Sequence, residues 1–372
     1  MTATALFATG TLAALALALT FALEKGWLTM SLALMSLGTA WISLQRPVPF
    51  LRSLAAILAA IVVARIGWEP RIVGNDVGTT PIFNWLLLGY GVPAASFWLG
   101  ASLLRRRGDD APLRAVEAAA ILFTVLLAFM EIRHFINGGD VYADTAGLAE
   151  VALDVNAMLA VAIGLERLRL RSGSIVHNIG ALVVTTLAAV FIVFGLLIFE
   201  MPMVSSTTIG GLFFNLILLG YALPAVLALL LSYAVAGHRP RAYTNTIAGA
   251  ALVLALFYVS LQVRRFYHGE DFTYGVTSDA EQYTYSLSWL VFGVLLLAIG
   301  FAVKSERARI AAAVVIGLTV LKAFAVDVWT LEVVYRALSF IGLGAVLVAI
   351  GWFYQRVMFN RRISPVGGTG GA

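Results

Sequence analysis

Phe83-Asn84-Trp85-Leu86-Leu87-Leu88-Gly89-Tyr90-Gly91-Val92-Pro93-Ala94 returns later in the chain as Phe214-Asn215-Leu216-Ile217-Leu218-Leu219-Gly220-Tyr221-Ala222-Leu223-Pro224-Ala225. The spacing between the two is 131 residues. Working outward, the same spacing carries Arg133, Phe135, Gly138 and Asp140 onto Arg264, Phe266, Gly269 and Asp271. It also carries Ala149-Glu150 onto Ala280-Glu281. Chance rarely holds one spacing across two apolar runs and two polar connections. The chain therefore reads as a tandem repeat of a unit of about four helices. An even unit leaves successive copies in the same orientation in a membrane. A weaker third copy is marked by Arg52 and Arg65 against Arg309 and Lys322, at a spacing of 257.

The apolar runs decide the class. Of the 372 residues, 61% are hydrophobic and 12% charged, against roughly 25% charged in a soluble domain. Runs of near the roughly 20 residues needed to cross a bilayer recur along the whole sequence. They do not alternate apolar with polar residues, which excludes a β-barrel. The expected fold is an all-α polytopic transmembrane bundle of twelve spans. These lie near 3–23, 27–45, 50–68, 82–104, 113–135, 147–166, 174–199, 210–235, 243–263, 283–303, 308–328 and 335–357. In repeat terms, 1–23 is the tail of an earlier unit, 24–146 and 147–279 are full units, and 280–357 is a partial third. The chain thus begins in mid-repeat. Its transmembrane domain runs to residue 363, and the Gly-rich 364–372 reads as a disordered tail.

Charge orients the bundle. With twelve spans, one set of connections and helix ends holds 17 of the 25 Lys and Arg residues but only 5 of the 20 acids. The alternate set holds 8 basic and 15 acidic residues. Basic connections stay cytoplasmic, so both termini are expected there. The net charge of +5 is explained by those connections and implies no nucleic-acid partner. There is no cysteine, so disulfides, thiolate catalysis and Cys-ligated metals are excluded.

The acidic, mixed-charge ends are where chemistry is expected. Glu131, Arg133 and His134 close one span, and Gln262, Arg264 and Arg265 close its counterpart. Glu150 and Asp154 lie one turn apart on the next span, as do Glu281 and Tyr285. Arg133 is expected to pair with Glu150, and Arg264 with Glu281, because an acid near the bilayer needs a cation or water. Arg65 with Glu69, and Lys322 and Arg336 with Asp327, read as structural ion pairs. Asn84 and Asn215 read as hydrogen-bonding partners of neighbouring helices. Pro93 and Pro224 are expected to kink their helices. No phosphate loop, zinc-type histidine pair or nucleophile elbow is present, so no cofactor, metal or catalytic residue is assigned.

The stretch Ser260-Leu261-Gln262-Val263-Arg264-Arg265-Phe266, with Ala280-Glu281-Gln282-Tyr283-Thr284-Tyr285-Ser286, resembles the bacterial membrane protein family called domain of unknown function 2339. So does the ending, Leu321-Lys322-Ala323-Phe324, Asp327, Tyr335-Arg336-Ala337-Leu338-Ser339-Phe340-Ile341-Gly342-Leu343-Gly344 and Tyr354-Gln355-Arg356. The resemblance is strongest from about residue 250 to 357. Members of that family are usually longer, which marks this chain as a short member or a piece of one. The resemblance implies a multi-pass protein of a bacterial inner membrane and supplies no reaction.

The functional expectation is recognition or passage of a small polar or anionic solute at the outer face. The second copy is the less acidic: Arg265 replaces His134, Tyr285 replaces Asp154, and Gln262 replaces Glu131. The expected ligand-binding set is therefore Arg264, Arg265, Glu281, Arg336, Gln262 and Tyr285. The first end, with Glu131, Arg133, Glu150 and Asp154, is expected to be structural. Two other classes compete. One is an envelope enzyme on a lipid-linked or glycan substrate, with Glu150, Asp154 and Glu281 as acid–base groups. The other is an assembly scaffold. The oligomeric state is not legible.

Overall fold

A computed structural model gives the fold and describes residues 25–46, 48–69, 71–74, 77–143, 147–205, 208–211, 214–270 and 275–323, with single positions before 24 and between 341 and 352. All regular structure among these residues is helical. The helices are α1 (Lys25–Gln45), α2 (Pro49–Trp68), α3 (Val92–Arg105), α4 (Ala111–Ile136), α5 (Leu148–Ser172), α6 (Ile175–Val190), α7 (Leu223–Val235), α8 (Arg241–His268), α9 (Asp279–Ala302) and α10 (Glu306–Lys322). Three π-helical segments adjoin them: Leu87–Gly91 leads into α3, Phe191–Phe199 continues α6, and Leu218–Ala222 leads into α7.

Local sequence starts these helices. Asp110 caps α4 by accepting from Leu113 N. Ser174, Ser278 and Ser305 cap α6, α9 and α10 by accepting from Val176 N, Glu281 N and Ala308 N. A side-chain oxygen there satisfies an amide that has no partner within the helix. Pro49 opens α2, where a missing N–H is harmless. Gly173 closes α5 in the left-handed conformation at φ 65°, which only glycine adopts freely.

Among the described residues, nine helices are long and apolar enough to cross a membrane. Their outward faces carry large apolar side chains such as Trp41, Phe194, Leu229 and Leu295, each at least half exposed. Apolar side chains there suit lipid rather than water. Inward faces bring small residues together: Ala33, Ala55, Ala59 and Ala120 are fully buried. Small side chains let helix backbones approach where lipid removes the hydrophobic drive. Ser36 Oγ, donating to Ala55 O at 2.8 Å, and Trp98 Nε1, donating to Thr124 Oγ1 at 2.9 Å, tie neighbouring helices.

Successive helices run up and down, as polar contacts at their ends show. At one end Arg52 meets Asp110, Arg107 meets Leu44 O, Arg105 meets Glu117, and Arg239 meets Glu166. At the opposite end Asn84 meets Glu131, His134 meets Gly78 O, and Arg133 meets Glu150.

Two expected spans begin later than the apolar pattern suggested. The runs at 82–104 and 210–235 become helical only near their π-helical segments, Leu87–Gly91 and Leu218–Ala222. Asn84 Oδ1 accepts from Leu86 N at 2.7 Å, and Asn215 Oδ1 accepts from Leu218 N at 2.8 Å. Both asparagines therefore cap incoming helices rather than standing inside them, although Asn84 Nδ2 also reaches Glu131 on α4. The prolines explain the π geometry. Pro93 and Pro224 lack the N–H that would bond four residues back, and Val92 N and Leu223 N bond five residues back to Leu87 O and Leu218 O. The expected kinks take the form of widened turns.

The chain forms two compact units. One comprises 1–258 with 270–273, the other 259–269 with 274–372. The expected first and last spans and the tail lie outside the described residues apart from single positions, as do Asp327 and Arg336.

Candidate functional site

In the first unit, the α4–α5 connection is tied down by one guanidinium. Arg133 donates through Nε to Val141 O at 2.9 Å, through Nη2 to Ala143 O, and through Nη1 to Glu150 Oε1 at 2.7 Å. Asn137 Nδ2 adds a bond to Glu150 Oε2 at 3.3 Å. Glu150 is buried in the first turn of α5, where the helix dipole also favours an acid. Glu131 accepts from Asn84 through Oε2 at 3.0 Å, but its buried Oε1 has no donor. His134 is buried with Nε2 2.7 Å from Gly78 O. Asp154, one turn beyond Glu150, is 9% exposed and its buried Oδ1 has no partner. Arg65, buried near the end of α2, pairs with Glu69 as expected.

In the second unit, Arg264 does the same work at the end of α8. Its Nη2 donates to Gly275 O at 2.9 Å, and its Nη1 lies 3.1 Å from Glu281 Oε1 and 3.3 Å from Thr277 Oγ1. Glu281 is fully buried and also receives Tyr285 OH at 2.9 Å. His268 Nε2 lies 2.8 Å from both Arg264 Nη1 and Glu281 Oε2. Carrying a proton there it donates to Glu281, and bare it accepts from Arg264. Arg265 is buried, Gln262 is half-buried, and Lys322 Nζ donates to Gln282 O at 3.2 Å and Ser286 Oγ at 2.7 Å.

Both expected arginine–glutamate pairs are thus formed. Each binds a helix start to the connection before it. The surroundings differ in composition: among the described residues the first end carries the acids Glu131, Glu150 and Asp154 with Arg133, and the second carries Arg264, Arg265 and Lys322 with Glu281. Of the expected ligand set, Arg264, Glu281 and Tyr285 are hydrogen-bonded together, with Lys322 beside them on the Gln282 carbonyl. Among the described residues no group of three His, Asp or Glu side chains is placed to hold a metal ion.

A protein-family model described as Predicted membrane protein (DUF2339) matches residues 1–357. The chain belongs to that family. The match takes in both units, so membership does not rest on the C-terminal stretch that carries the resemblance most visibly. No curated protein and no solved structure matches the chain. This DUF2339 protein is accordingly a multi-pass membrane protein, and its chemistry has to be argued from its own side chains.

Sequence reasoning missed two buried glutamates at the other helix end. Glu117 on α4 is held by Arg105 and by Ser174 Oγ at 2.6 Å, with His177 Nε2 at 3.8 Å. Glu166 on α5 is held by Arg239 at 2.8 Å and Arg169 at 2.8 Å. Their signal was available: they are among the few acids placed with the basic connections, and each had a surplus of arginines nearby.

Proposed function

We propose that this protein recognises a small anionic solute at the end of its second unit. The observation that carries the reading is the concentration of basic side chains at that end: Arg264 closes on the buried carboxylate of Glu281, Arg265 is buried next to it in sequence, and Lys322 bonds the carbonyl of Gln282, the residue after Glu281. Arg264 is committed to protein acceptors and serves as the frame. Arg265 and Lys322 are the further cations of that end, with Arg336 an expected contributor outside the described residues. A planar guanidinium in a site screened from water favours a carboxylate or phosphate group.

The wider frame of the proposal is a twelve-span protein of a bacterial inner membrane. Both termini are cytoplasmic and the solute end faces outward. The domains are parallel units at 24–146, 147–279 and 280–357. Support comes from the distribution of Lys and Arg. Further support comes from paired features 131 residues apart: π-helical segments at Leu87–Gly91 and Leu218–Ala222, and ion pairs Arg133–Glu150 and Arg264–Glu281.

The test is a thermal-shift series with acetate, citrate, sulfate and inorganic phosphate at constant ionic strength, on purified protein in nanodiscs. Constant ionic strength separates binding from screening. At least one anion should raise the melting temperature of the wild type. That shift should vanish in Arg265→Gln and Arg264→Ala and persist in Arg133→Ala. A shift lost in Arg133→Ala and kept in the other two, or absent with every anion, sinks the proposal.

A further inference from the structure

We propose that Asp154 is an exchangeable cation site near the start of α5 in the first unit, taking a proton or an alkali ion. The inference does not depend on the anion reading, which concerns the other unit.

The argument begins with charge. Arg133 and Glu150 cancel one another across a 2.7 Å ion pair. Both act electrostatically on Asp154, which sits one turn farther along α5. Among the described residues a third charge at that place has no counter-ion, and Asp154 is nine-tenths buried with no hydrogen-bond partner on Oδ1. An uncompensated carboxylate in such surroundings is strongly disfavoured, so some cation must cancel it. The second unit shows the alternative. There Tyr285 stands at the corresponding position, is neutral, and donates its hydroxyl to Glu281 at 2.9 Å.

Among the described residues no other element supplies the missing charge. The segments packed most extensively against α5 are α4, α6, α7 and the two later π-helical segments. From α4 come Arg133, already engaged, the acids Glu131 and Glu117, and His134, whose Nε2 is bound to Gly78 O. From α6 comes His177, in its first turn and bonded to Ser172 Oγ at 2.7 Å. The π-helical segments bring Tyr221, which donates to Leu196 O at 2.7 Å, and α7 brings Tyr233, which is 82% exposed. On α5 itself, Glu166 is paired with Arg239 and Arg169. A proton and an alkali ion share the property needed, one positive charge small enough to sit on a buried carboxylate oxygen.

The experiment titrates full-length protein in nanodiscs with acid. A second titration, at constant pH, replaces choline chloride with sodium chloride. Infrared absorption of the carboxylate and carboxylic-acid bands is the readout. The wild type should show one buried carboxylate band converted to a carboxylic-acid band on acidification, or one carboxylate band shifted in frequency when sodium replaces choline. Response to acid alone assigns the proton, and response to sodium at constant pH assigns the alkali ion. The signal should be absent from Asp154→Asn and Asp154→Tyr and unchanged in Asp140→Asn, which alters an exposed acid. Titrations of the Asp154 variants that match the wild type would overturn the proposal. So would failure of both variants to fold, because a charge that is merely neutralised is dispensable to the fold.

Discussion

The Arg133–Glu150 end and the Arg264–Glu281 end perform one mechanical task with different electrostatic margins. Each arginine spans a connection by bonding its carbonyls and then closes on a glutamate in the first turn of the next helix. Around Glu281 the arrangement is sealed: Arg264, His268 and Tyr285 all approach it, and no part of its side chain is exposed. Around Glu150 it is looser. Arg133 is 26% exposed, Asn137 is the other donor to the carboxylate among the described residues, and Asp154 brings a further acid. The two ends therefore hold the same kind of pair among differently charged neighbours.

The largest effect should separate the two glutamates under one substitution. Glu281→Gln removes the carboxylate on which the buried Arg264 closes, and losing one partner of a buried pair costs about 3–5 kcal/mol. Glu150→Gln should cost about 1–3 kcal/mol, because Arg133 has solvent access and two carbonyl partners left. Melting temperatures of the two variants decide it. Equal losses would show that the sealed and open ends do not differ in strength.

A middle-sized effect concerns two glycines at the same relative place. A Cβ on Gly89 would collide with Val73 Cγ1, on a stiff β-branched side chain. A Cβ on Gly220 would meet Ala152, Leu148 and Leu196 at ordinary contact distances of 3.6–3.7 Å. Gly89→Ala should destabilise by about 1–3 kcal/mol through overpacking. Gly220→Ala should stay within about 0.5 kcal/mol of the wild type or gain slightly, since alanine is the better helix former. Parallel thermal melts of the two variants check the difference.

The smallest expected effect is a pH dependence at the capping aspartate of α4 in the first unit. Asp110 caps α4 and receives Arg52 Nε at 2.6 Å, and that hydrogen bond holds its carboxyl below the ordinary carboxylate range. A lowered folded-state value means the stabilisation is present above the ordinary range and lost as the pH falls through the folded one. Position 241, 131 residues later, is Arg and carries no carboxylate. Asp110→Asn should flatten the loss of stability below about pH 4. The gain is modest because the Asp110 side chain is 41% exposed and solvent screens the pair. An acid limb unchanged in Asp110→Asn would remove this contrast.

Much of the architecture was legible along the chain because it is local or periodic. Apolar runs of bilayer length mark the helices, and the alternating bias of Lys and Arg marks their ends. The spacing of 131 brought Arg133 and Arg264 into correspondence and led directly to both ion pairs. Asn84 and Asn215 were misplaced because hydropathy does not distinguish a polar cap at a helix entrance from a polar residue within a span.

What the sequence by itself determined is the class of protein, the up-and-down order of its helices and the two arginine–glutamate pairs, since each follows from chain spacing and desolvation. Only the tertiary structure decided which acids are satisfied. Glu117 and Glu166 found arginines and, among the described residues, Asp154 found none. Nearby arginines in the sequence hinted at the first two without naming the partners. The reason is physical: Arg105 and Arg239 reach Glu117 and Glu166 from other helices, and only packing brings those helices within hydrogen-bonding distance.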